Sequence, residues 1–149
     1  MERIDVFLVS PVRKPKLRLV RRLLVQYGLA KDAYAEEQQK IATYVKNIEA
    51  QGRKVYWPFR DTDQNDDPIG TRICGKNRMA IYQANEIHIW YSKGSQGSLF
   101  DTGMLFAFAL IADVGSMHRQ RIVLANPEAV QRTPHKSFEN VILALTGNL

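Results

Sequence analysis

Strand-forming and helix-forming stretches alternate along this chain, and that alternation restricts it to few folds. Residues 4–10 (IDVFLVS) are a short run rich in β-branched residues that ends at Pro11, the pattern of a buried strand running into a loop. Residues 32–51 then carry an apolar stripe of Ala33, Ala35, Ile41, Ala42, Val45, Ile48 and Ala50, with Asp32 placed to cap one end and Gly52 to stop the other. Residues 54–57 predict a second strand, stopped by Pro58. A second helix is expected over 69–84, with Ile73, Met79, Ala80 and Ile81 inward, then a third strand over 86–91. An apolar helix over about 99–112 precedes a fourth strand at 121–125. Residues 135–145 read as a closing helix, with a short strand around 141–143 as the alternative. Such alternation builds βαβ units and a parallel sheet covered on both faces. The expected architecture is α/β: a three-layer flavodoxin-like or Rossmann-like sandwich with a four- to five-stranded parallel sheet.

The chain's 149 residues suit one domain, and 45% hydrophobic against 24% charged residues excludes global disorder. Its apolar stretch 102–112 falls well below the roughly 18 to 20 residues of a membrane span. The first residues, MERID, lack a basic n-region, and no apolar core of sufficient length or small-residue cleavage site follows them. A cytoplasmic protein with no membrane partner is therefore expected. Cys74 is the single cysteine, so no internal disulfide can form, and three histidines supply few ligands for a structural zinc.

The net charge of +6 is unevenly placed: residues 1–60 hold 13 Lys/Arg against 6 Asp/Glu, and the remainder 8 against 9. Arg13, Lys14, Lys16, Arg18, Arg21 and Arg22 follow one another with no acid between them. The interspersed Leu17, Leu19, Val20, Leu23 and Leu24 recur at helical spacing, which suits an amphipathic segment with a solvated face. The same cations can steer phosphate groups. Nucleic acid is not the expected partner, because no aromatic side chain is interleaved with the basic run and no zinc-finger or ribonucleoprotein motif is present.

In open parallel sheets ligands bind beyond the carboxyl ends of the strands. Here those ends are residues 10–13, the polar loop 58–70, residues 91–101 and residues 125–127. The Gly94-Ser95-Gln96-Gly97-Ser98 segment combines backbone freedom with hydroxyls ahead of a helix, yet matches neither the P-loop nor the dinucleotide fingerprint. Asp101 is the acid that follows, in the expected first turn of an otherwise apolar helix. Two readings of it stand level: an acid favoured by the helix dipole, and a functional carboxylate at the ligand end of the sheet.

Residues 4–13 (IDVFLVSPVR), 56–70 (YWPFRDTDQNDDPIG), 77–81 (NRMAI) with 84–87 (ANEI), and above all 97–104 (GSLFDTGM) together resemble the nucleoside 2-deoxyribosyltransferase-like superfamily. That superfamily includes the deoxyribosyltransferases and the 2′-deoxynucleoside 5′-monophosphate N-glycosidases. The resemblance implies a flavodoxin-like domain, a homodimer or higher homo-oligomer, and N-glycosidic bond cleavage through a carboxylate nucleophile with no metal or cofactor. Gly97, Asp101 and Gly103 match the spacing of the family's G-x-x-x-E-x-G motif, which makes Asp101 the implied nucleophile. A carboxylate can trap the oxocarbenium-like C1′ as a sugar ester and so split one hard displacement into two easier ones.

The first-strand exit Ser10-Pro11-Val12-Arg13 resembles the phosphate-contacting segment of the monophosphate hydrolases, which implies Arg13, with Ser98, as the 5′-phosphate contact and Ser10 and Gly97 as further substrate-binding residues. Asp replaces the usual Glu at the nucleophile, Phe7 stands where the family carries a tyrosine, and Asn77 falls at its helix-borne aspartate. Asp61, Asp63 or Asp66 would then supply the general acid, and Asn65 or Arg60 would contact base or ribose. Equally, a loop with four Asp reads as a capped turn. The alternative to an enzyme is a non-catalytic nucleotide-binding or sensing domain. His88 between Ile87 and Ile89 reads as a packed, hydrogen-bonded histidine, and Trp57 and Trp90 as core. Met104, Phe106 and Phe108 read as packing or oligomer contacts, and Cys74 has no sequence-adjacent histidine to activate it.

Overall fold

Side-chain alternation along the first strand sets the layers. In the computed structural model, which describes residues 3–14, 19–65, 69–113, 115 and 120–149, β1 (Ile4–Val9) sends Val6 and Leu8 to one face and Phe7 and Val9 to the other. All four are fully buried, so β1 is the centre of the molecule. It pairs in parallel with β2 (Val55–Tyr56) through Val6–Val55 and with β3 (Ala84–Ile89) through Ile4–Ala84 to Val9–Ile89. β4 (Arg121–Leu124) adds to β3, giving a four-stranded parallel sheet in the order β2-β1-β3-β4. Helices cover both faces, and the fold is the expected α/β three-layer sandwich.

Following β1, α1 spans Leu19–Gln26 and α2 spans Ala33–Glu49. Asp32 caps α2 by accepting the Ala35 N–H at 3.2 Å, and Ile41, Val45 and Ile48 form its buried stripe at intervals of three and four. That stripe packs on Val6, Leu8 and Val55, with Trp57 and Trp90 closing the cluster. On the other face α4 (Thr71–Gln83), α5 (Gln96–Asp113) and α6 (Phe138–Leu145) contribute Ala80, Ile81, Leu105, Ile142 and Leu143 against Phe7, Val9, Ile87, Ile89 and Leu124. Each large side chain so buried stabilises the fold by about 1.5 to 3 kcal/mol.

Two local features depart from the sequence reading, and a third decides between the two alternatives it left for the closing segment. Residues after Trp57 do not run straight into a loop: Pro58–Asp61 forms the one-turn helix α3, in which Pro58 presets the first helical φ and the Asp61 carboxylate accepts the Trp57 backbone N–H at 2.7 Å. The apolar helix begins at Gln96 and not near residue 99, because Gly94 turns the chain at φ +83° and Ser95 Oγ accepts the Ser98 N–H. The closing segment is helical, its N-cap Ser137 accepting the Asn140 N–H at 3.2 Å, and it forms no strand at 141–143.

Candidate active site

Leaving β1, the chain goes to β2 on one side, whereas β3 continues to β4 on the other, so the connections diverge between β1 and β3. This is the topological switch point at which open α/β sheets bind ligands. A cavity of about 900 Å³ opens there, walled by the β1 exit (Ser10 to Lys14), by Cys74, Asn77 and Arg78 of α4, by residues 92–96, and by Gly97, Phe100, Asp101 and Met104 of α5. The α5 residues share one face, since positions three and four apart are neighbours on a helix.

Asp101 is the buried acid of this wall, only 6% exposed. Because α5 starts at Gln96, Asp101 sits in its second turn, beyond the first-turn position at which a helix dipole favours an acid. Burial pushes its carboxyl up to about 6, while hydrogen bonding from Asn77 pulls it down. Asn77 Nδ2 donates to both carboxylate oxygens, at 3.4 and 3.3 Å. These contacts are long, and desolvation wins. Even so, a carboxyl titrating near 6 is about nine-tenths ionised at pH 7. Behind Asn77, its Oδ1 accepts from Thr62 Oγ1 at 3.3 Å, and Thr62 Oγ1 lies 2.7 Å from the Tyr56 hydroxyl. Tyr56 stacks on Phe7 with ring centroids 5.6 Å apart. An oriented, mostly ionised carboxylate on a cavity wall can act as a nucleophile or a base.

The other candidates divide into two groups. Ser10, Arg13 and Gly97 line the same cavity as Asp101 and Asn77. Ser10 Oγ accepts the Trp57 indole N–H at 3.1 Å, while Arg13 forms no ion pair among the described residues. Ser98 lies one wall away: its hydroxyl bonds Ser95 Oγ at 2.8 Å and faces a smaller cavity of about 110 Å³ beside Tyr91 and Glu139. Arg60 and Asp61 bond each other, and Arg60 also holds Glu49 and the Val55 carbonyl, which fixes both at the sheet edge and outside the cavity wall. Asp63 accepts the Asn65 N–H at 2.9 Å in a local turn, and neither residue reaches the wall. Asp66, like Lys16 and Arg18, lies outside the described residues.

Sequence reasoning did not single out Thr62, Glu37, Arg78 or Lys93. Glu37 enters the cavity wall from α2 and accepts from the Trp90 indole and the Ser92 hydroxyl. Only the i, i+4 spacing of Glu37 to the stripe residue Ile41 hints at its inward side. His88 lies on the opposite face of the sheet, bonded to Tyr44 at 2.8 Å and Glu86 at 3.0 Å, as a packed histidine. Among the described residues, no three His, Cys, Asp or Glu side chains converge to hold a metal ion, and no helix is long and apolar enough to cross a membrane.

Fold and site together define a parallel α/β sandwich that carries an ionisable carboxylate in its switch-point crevice. No protein-family model, curated protein or solved structure matches this chain.

Proposed function

We propose that this chain cleaves or transfers the N-glycosidic bond of a nucleoside or nucleoside 5′-monophosphate, with Asp101 as nucleophile. The observation that carries the reading is a buried carboxylate on the wall of a large crevice, hydrogen-bonded by the Asn77 amide. An Asp101 oxygen attacks C1′ and the C1′–N bond breaks with its electron pair going to the base, which takes a proton from water. Water or a second base then opens the sugar ester and regenerates the carboxylate. Arg13, Arg78 and Lys93 give the crevice cations for a 5′-phosphate, and no metal or cofactor enters the steps. The resemblance of residues 97–104 to the deoxyribosyltransferase-like motif supports the same assignment. Under this reading the protein works in the cytoplasm as a homo-oligomer, with exposed Phe106 and Leu110 of α5 as self-association contacts.

A second reading, a nucleotide-binding or sensing domain without turnover, is favoured by Asn77, whose amide cannot give a proton to the departing base. One experiment separates the two. Purified protein is incubated with ribo- and deoxynucleosides and their 5′-monophosphates, and free base is measured by chromatography beside Asp101→Asn. Base release that the variant lacks supports the glycosidase. Saturable binding with no base released from any of them supports the sensor.

A further inference from the structure

An asparagine amide has an accepting end and a donating end, and which end faces a carboxyl decides the proton state it favours. The NH2 end stabilises a carboxylate, whereas the C=O end stabilises a protonated acid that can donate to it. We propose that Thr62 is the positioning residue that keeps Asp101 a carboxylate, by holding the accepting end of Asn77 away from it. The assignment rests on Asp101 being the reacting group, as in the function proposed above.

Hydrogen-bond polarity carries the argument. Thr62, Asn77 and Asp101 are all buried, so their polar groups are satisfied by one another. Thr62 Oγ1 is 3.3 Å from Asn77 Oδ1 and 2.7 Å from Tyr56 Oη. A hydroxyl has one hydrogen. When Thr62 gives it to Asn77 Oδ1, Tyr56 must be the donor to Thr62, and a neutral phenol supplies that hydrogen. The chain then runs one way, from the Tyr56 O–H to Thr62, from the Thr62 O–H to the Asn77 oxygen, and from the Asn77 NH2 to both oxygens of Asp101.

The reverse polarity is also self-consistent. Asp101 would be protonated and donate to the amide oxygen, the flipped amide would donate to Thr62, and Thr62 would donate to Tyr56. That arrangement requires a protonated Asp101 and turns the hydrogen of the half-buried Tyr56 hydroxyl out of the chain, so it belongs to the acid form and competes with the first below the midpoint.

The surroundings leave this control to the chain. The charged groups on the cavity wall are Arg13, Lys14, Glu37, Arg78 and Lys93, with the Cys74 thiol beside Asn77 on α4. Among the described residues no cation forms an ion pair with Asp101. Lys14 instead pairs with Asp32. Asn77 is therefore the side chain that opposes the effect of burial.

The test reads the carboxyl itself, with the intact chain labelled with 13C at the aspartate side-chain carboxyls and titrated by NMR. Asp101 is assigned by its loss in Asp101→Asn. In the wild type its midpoint is expected near 6. Thr62→Val, which keeps the shape and removes the hydroxyl, should raise that midpoint by at least about half a pH unit, a roughly threefold drop in the ratio of ionised to protonated carboxyl below it. Thr62→Ser, which keeps the hydroxyl, should leave the midpoint at the wild-type value. An unchanged midpoint in folded Thr62→Val overturns the proposal. If circular dichroism shows Thr62→Val to be unfolded, Thr62→Ala carries the comparison, and an unchanged midpoint there overturns it instead. Where base release is measurable, the acid limb of kcat/KM should move with the NMR midpoint. A midpoint that moves as expected in a protein releasing no base leaves the relay standing and removes the glycosidase reading.

Discussion

Asp101 holds its proton more tightly in the folded chain than in the unfolded one, near 6 against an ordinary 3.8. Its effect on stability is therefore most favourable below pH 4 and is lost as the pH rises through 6, above which the fold carries a penalty of about 3 kcal/mol. Asp101→Asn removes that penalty while keeping an acceptor for Asn77. The variant should lose base release and yet be about 2 to 3 kcal/mol more stable at pH 7 in urea unfolding, with the gain shrinking towards pH 4. A destabilised variant would show that the carboxylate is not the strained group. The same titration sets an activity profile: kcat/KM should fall tenfold per pH unit well below 6, as the nucleophile takes up its proton. A rate that stays flat from pH 7 down to 5 would remove Asp101 from the chemistry.

Secondary elements were legible in proportion to their length and periodicity. α2 could be read from Asp32 to its stripe because 17 helical residues repeat one pattern and the cap is local. Asp32→Ala should remove the cap and also release Lys14 from its pair, measurable as a lower urea midpoint with an unchanged slope. α3 was not legible, since four residues offer no period and its stabilising contact, Asp61 to the Trp57 N–H, looks in sequence like one more loop acid. Thr62 was hidden for the same reason. The α3 turn brings it inward between Asp61 and Asp63, both of which bond locally. Of the crevice wall, Asp101 was already a candidate as an acid ahead of an apolar helix and Asn77 through the resemblance alone, whereas Glu37, Arg78 and Lys93 reach it from three separate segments that only the sheet order brings together.

At the scale of the whole molecule, apolar surface is left over. Phe106 and Leu110 sit one turn apart on α5, at 55% and 62% exposure, and the α1 stretch has no buried residue at all. The self-association proposed for α5 predicts that Phe106→Lys with Leu110→Lys gives a smaller sedimentation coefficient than the wild type. Equal coefficients would remove α5 from the interface. The parallel sheet has a further consequence, which concerns synthesis. Its most apolar strand, Ile4–Val9, is made first, but its pairings on one flank begin at Val55 and on the other run from Ala84 to Ile89. At about 5 to 20 residues per second, a ribosome needs on the order of 4 to 16 s to supply that second flank. For that interval the nascent chain carries a hydrophobic strand with its β3 flank unpaired, a natural client for holding chaperones. Chains stalled before residue 84 should crosslink to them through β1, and chains that have released the whole sheet should not.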